Sequence, residues 1–109
     1  MSINKSATDP LMNPWHPMKR PIDLKHLGKF AGELGECSSA VARYIIQGID
    51  EKEPITGKKN IYWLEEEIAD VLANVNLVIK HFNLNQSEIQ ERKIRKEKQL
   101  LSWHQMLED

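Results

Sequence analysis

The chain has 109 residues, 40% hydrophobic and 28% charged, with a formal net charge of -1. That balance suits one small domain with a core, excludes disorder throughout, and offers no basic excess for nucleic acid or a membrane surface. No apolar run approaches transmembrane length and the first twenty residues hold no secretory core segment, so a cytoplasmic protein is expected.

Residues 1–22 read as a proline-rich arm. Pro10, Pro14, Pro17 and Pro21 forbid a continuous helix there. Trp15, Met18 and Ile22 are placed to pin the arm against the rest of the fold or a neighbouring subunit. A helical domain follows over 23–109, with Asp23 as the expected N-cap of its first helix. Leu27, Phe30, Leu34, Cys37, Val41 and Tyr44 or Ile45 recur in steps of three and four on one face of that helix. Glu33 stands at the edge of the face, and Glu36, one turn on, lies further round. Cys37 is the only cysteine, so no internal disulfide forms and no zinc spacing exists; it reads as a small core residue. The helix is expected to end near Gln47-Gly48.

Pro54 and Gly57 mark a loop up to Asn60, in which Lys58-Lys59 reads as a solvated charge run. Asn60 is the expected cap of a second helix. Leu64, Ile68, Val71, Val75, Val78 and Phe82 form its apolar stripe. With about 100° per residue, Glu67 lies about 40° from Val71, Asn74 about 60°, Trp63 about 80° and Asp70 about 100°. An ionised carboxylate beside a core face needs a partner or a metal, because removing it from water is costly. Asn83 and Asn85 close this helix. Ser87 is the expected cap of a third helix running to about Leu107. Its stripe of Ile89, Leu100, Trp103 and Leu107 is interrupted in the same register by Lys93 and Lys96.

Glu33-Leu-Gly-Glu36 followed by Glu67-Ile-Ala-Asp70-Val, on two predicted helices with a basic third helix behind them, resembles the paired acidic motifs of the MazG-like nucleotide pyrophosphohydrolases, members of the all-α NTP pyrophosphatase superfamily. The resemblance runs from about Leu24 to about Leu101. It implies an all-α, antiparallel helical bundle that hydrolyses a ribo- or deoxyribonucleoside triphosphate to the monophosphate and pyrophosphate, in nucleotide-pool house-cleaning. Three helices do not readily enclose a bundle, so either a short helix from the arm or a second subunit is expected to complete it, as a homodimer or homotetramer.

Glu33, Glu36, Glu67 and Asp70 are the candidate metal ligands and catalytic residues. An all-oxygen set without a histidine at zinc spacing favours Mg2+, with Mn2+ as the other fitting ion. Glu36 or Glu33 is the candidate to accept the proton of the attacking water. Lys93 and Lys96 read equally as phosphate partners and as ion-pair partners of Glu88, Glu91 or Glu97. The family often carries an asparagine where Glu97 stands beside the distal lysine. Asn74 is a candidate to hydrogen-bond a ribose or base or to orient a metal ligand, with a polar contact between helices as its other reading. Trp63 is a candidate for base stacking, with simple packing as its other reading. The histidines at 16, 26, 81 and 104 show no spacing that demands a site. The competing functional reading is a non-catalytic helical module that binds a nucleotide or another protein.

Overall fold

The computed structural model describes residues 14–108. The described chain is all-α, with three helices in the order α1 (Pro21–Gln47), α2 (Asn60–His81) and α3 (Gln86–Glu108). No strand occurs among the described residues, only an isolated bridge between Lys52 and Lys59. No helix there is long and apolar enough to cross a membrane.

The first helix starts two residues earlier than Asp23. Pro21 occupies its first turn, where a missing N–H costs nothing, and Arg20 is the N-cap without a side-chain bond. Asp23 is thereby freed for a long-range role: its Oδ1 lies 2.7 Å from Nε2 of His81 at the far end of α2. Gly48 follows α1 with φ 101°, a left-handed conformation that favours glycine, and its N–H donates to the Tyr44 carbonyl.

The expected cap at Asn60 is also revised. Lys59 is the N-cap of α2, and Asn60 is the first helical residue, fully buried at 0% exposure. Its Nδ2 donates to the Gly48 carbonyl at 2.9 Å and to Gln47 Oε1 at 3.3 Å, tying the end of α1 to the start of α2. The loop between them is ordered by Glu53, whose carboxylate accepts from the N–H groups of Ile55 and Thr56 and from the Thr56 hydroxyl. These bonds hold the Glu53 carboxyl below its usual range. Asn60→Ala deletes the donor that joins the helices and leaves the Gly48 carbonyl without it, a loss of about 1–3 kcal/mol. In a protein of this size, thermal unfolding followed by circular dichroism is expected to drop by at least about 4 °C.

The two ties, Asp23–His81 at one end and Gly48–Asn60 at the other, set α1 and α2 antiparallel. They form the only extensively packed helix pair among the described residues. The described core is small: Ala40, Tyr44 and Val78 are its buried apolar residues. Of the predicted α1 stripe, Leu34, Val41 and Ile45 stay exposed, and of the α2 stripe so does Ile68, because one hairpin covers only part of each face. Leu34, Cys37, Val41, Ile68, Val71 and Leu72 line an open apolar groove of about 400 Å³.

After α2 the chain turns sharply. Asn83 is left-handed at φ 51°, and Leu84 N–H donates to the Ile79 carbonyl. Asn85, rather than Ser87, caps α3, its Oδ1 accepting from Glu88 N–H at 3.1 Å and from the Ser87 hydroxyl at 2.8 Å. The third helix buries no residue. Residues 14–20 of the arm are not helical, so no fourth helix comes from them; residues 1–13, including Pro10, lie outside the described residues. Trp15, Met18 and Ile22 are exposed.

Candidate metal centre

The antiparallel pairing brings the acidic motifs level. Glu33 from α1 and Glu67 and Asp70 from α2 each offer a carboxylate oxygen, all within 4.8 Å of one another. Glu33 is buried at 8% exposure, Glu67 is half-buried, and Asp70 opens to solvent. Lys29, one turn before Glu33, reaches its Oε1 at 3.1 Å. Glu33 in turn holds the Lys29 ammonium above its usual range, through the hydrogen bond and then the charge. The other oxygen, Glu33 Oε2, is buried with no hydrogen-bond partner among the described residues, and so is Glu67 Oε2. Two orphaned carboxylate oxygens inside one acidic cluster are costly unless a cation occupies it. The donor set therefore fits a hard divalent ion, Mg2+ or Mn2+, which takes carboxylate oxygens while keeping positions for water and phosphate.

Glu36 does not join the three converging carboxylates. It lines an adjoining groove with Ser39, Arg43 and Glu67. It is close enough to be the foremost of the charges acting on Glu67. The Glu67 carboxyl is pushed above its ordinary range by burial first, then by Glu36, Asp70 and Glu33, with Arg43 opposing. A carboxyl raised in this way keeps its proton in the folded protein at pH values where the unfolded chain has lost it. Its contribution to metal-free stability is full below the ordinary carboxylate range and is lost as pH rises through the raised value. A divalent cation reverses the sign, because it binds the ionised form. Melting temperatures from about pH 4 to 7 are expected to show this contribution falling with chelator and rising with Mg2+.

Asn74 lies one turn beyond Asp70, where its Nδ2 donates to the Asp70 carbonyl at 2.9 Å. Its side chain is thus partly engaged with its own helix while lining a groove with Lys25, His26 and Lys29. Trp63 is half-buried and covered by Lys58, whose ammonium lies 4.2 Å from the ring centre and also pairs with Glu66. Lys58 is therefore engaged rather than part of a free charge run. Trp63 Nε1 is buried and has no partner among the described residues. Lys93 and Lys96 are not brought to the carboxylates: both are exposed on α3, and Lys93 pairs with Glu97 at 3.6 Å.

Three groups near the site escape the sequence reading. Lys29 carries a local signal, a lysine four residues before an acid on one helix. Arg43 carries none, since its approach to Glu67 depends on how the helices pack. The third is the end tie, where the His81 ring stacks on His26 at 4.0 Å between centres while bonding Asp23. Asp23 and His81 are 58 residues apart, and no spacing rule joins them. No family model matches the chain, and no curated protein or solved structure was found to be similar to it.

Proposed function

We propose that the protein is a divalent-metal-dependent nucleotide pyrophosphohydrolase, cleaving a ribo- or deoxyribonucleoside triphosphate to monophosphate and pyrophosphate in the cytoplasm, as a homodimer or homotetramer. The observation that carries this reading is the buried, unpartnered Oε2 of Glu33, whose carboxylate converges with those of Glu67 and Asp70, in the motif order of the MazG-like enzymes. A bound Mg2+ would neutralise charge developing on the phosphate oxygens. Glu33, Glu67 and Asp70 would hold it. Glu36, outside that set, accepts the proton of the attacking water as its oxygen bonds to the α-phosphorus. The bond from that phosphorus to the bridging oxygen breaks, and pyrophosphate leaves with the electron pair.

The second reading, a nucleotide-binding or protein-interaction module without turnover, is favoured by Lys93 pairing with Glu97 and by neither Lys93 nor Lys96 pairing with the carboxylates among the described residues. Phosphorus NMR with a panel of nucleoside triphosphates decides. Monophosphate and pyrophosphate appearing only with Mg2+ or Mn2+ is the expected result. No product across the panel, with nucleotide and metal still raising the melting temperature, would establish the binding module instead.

A further inference from the structure

We propose that the groove bordered by Lys25 and Lys29 is the seat of the leaving diphosphate, and that Lys29 passes from Glu33 to that diphosphate when substrate is bound. This rests on reading the site as a pyrophosphohydrolase, and it adds the direction in which the triphosphate lies.

The carboxylates stand between two grooves that follow one another along α1. On the N-terminal side of Glu33, Lys25, His26 and Lys29 line a space of about 360 Å³ with Asn74 of α2, between the apolar Ile22 and Leu77. On its C-terminal side, Ser39 and Arg43 line the other groove with Glu36 and Glu67. Two lysines and no acid line the first, whereas the second sets two acids against one arginine. The diphosphate part of a nucleoside triphosphate carries most of its negative charge, so the first groove is the one that matches it.

The chemistry asks for the same direction. Displacement at phosphorus places the attacking and leaving oxygens roughly in line. Glu36, which accepts the proton of the attacking water in this reading, lies three residues after Glu33, and Lys29 lies four before it. At about 1.5 Å per residue, the two are about 10 Å apart along the helix, on opposite sides of Glu33. Water entering from the Glu36 side therefore expels diphosphate toward Lys29.

Lys29 is free to make the move. Its Nζ lies 3.1 Å from Glu33 Oε1, and its side chain is 70% exposed. A lysine four residues before its acid is the weaker order of such helix pairs, and an exposed ion pair contributes little. With the charge of Glu33 neutralised, the ammonium loses that partner and swings on its flexible stem within the groove it already lines. Lys25, one turn earlier, supplies a second ammonium beside it. Asn74 spends one amide N–H on the Asp70 carbonyl and keeps the other for a phosphate oxygen.

The test reads binding rather than turnover. Inorganic pyrophosphate is titrated calorimetrically into Mg2+-saturated protein, and Mn2+ binding without phosphate is followed by electron paramagnetic resonance. The unaltered chain is compared with Lys25→Gln, Lys29→Gln and Arg43→Gln. Both lysine variants are expected to bind pyrophosphate about tenfold more weakly, the scale of one lost charge-assisted hydrogen bond. Lys29→Gln should keep its Mn2+ affinity or gain up to about fivefold, since a competing cation is gone. Arg43→Gln should leave pyrophosphate binding unchanged. Undiminished pyrophosphate binding in the lysine variants overturns the proposal, as does its loss in Arg43→Gln or its absence in the unaltered chain. Loss of Mn2+ affinity in Lys29→Gln also overturns it, because Lys29 would then be a prop for the carboxylates. Phosphorus NMR of the unaltered chain with nucleoside triphosphates is read in parallel. Lysine effects without turnover keep the diphosphate seat and remove the catalytic reading, whereas turnover without lysine effects does the opposite.

Discussion

Glu67→Gln is expected to stop metal-dependent pyrophosphate release while raising the melting temperature of the metal-free protein. Both effects come from one atom. Glu67 Oε2 is buried without a hydrogen-bond partner among the described residues, and the carboxyl is raised by burial and by three neighbouring acids. Glutamine keeps the shape and removes the charge, so repulsion from Glu36, Asp70 and Glu33 disappears and the new amide N–H groups can donate to those carboxylates. Relief of about 1 kcal/mol shifts melting upward by about 4–8 °C for a domain of this size. The same change removes one anionic ligand from a set of three, and turnover is expected to fall by about 10³-fold or more, the scale of losing a principal electrostatic contribution to the transition state. Calorimetry with chelator reads the first effect, and phosphate-coupled kinetics at saturating Mg2+ the second. A variant that is less stable without metal would show Glu67 to be a packing residue. Full turnover would remove it from the site.

Of the four acids, the convergence of Glu33, Glu67 and Asp70 was legible because the physics that marks it is local, whereas Glu36 stands outside the converging three. A carboxylate about 40° from the centre of an apolar stripe is already a statement about burial, and the hairpin does turn Glu67 inward beside Glu33. Helix ends are less legible, since they depend on competition. Asp23 could cap α1, but pairing with His81 across the hairpin draws it into the first turn, and Pro21 starts the helix earlier. Asn60 has the composition of a cap and instead spends its amide on the Gly48 carbonyl. Periodicity marked Tyr44 and Val78, which are buried, but it left out Ala40 and did not say how much of each stripe one hairpin covers. Leu34, Val41 and Ile68 obey the register and remain exposed, because register fixes a face and only packing fixes its cover. Lys93 and Lys96 are the sharpest case. Their place on an apolar stripe is visible in sequence, yet whether they meet phosphate, Glu97 or a partner depends on the exit angle of the turn at 82–85.

The joint substitution Leu100→Glu and Trp103→Glu on α3 tests whether that stripe is covered in solution. If α3 stands free, both positions are surface, and two surface changes alter stability by no more than about 0.5 kcal/mol each, with the mass in light scattering unchanged. If a second copy covers them, each loses about 1.5–3 kcal/mol of apolar burial and forces a carboxylate into an apolar contact. The expected result is the covered case: a rise in the dimer dissociation constant of about 10³-fold or more, seen as a monomer in light scattering at micromolar concentration. Neither position belongs to the carboxylate cluster, so the acids themselves are untouched. Metal-dependent turnover followed against protein concentration then separates a site that needs the oligomer from a site complete within one chain, because a cis site would lose no activity on dissociation.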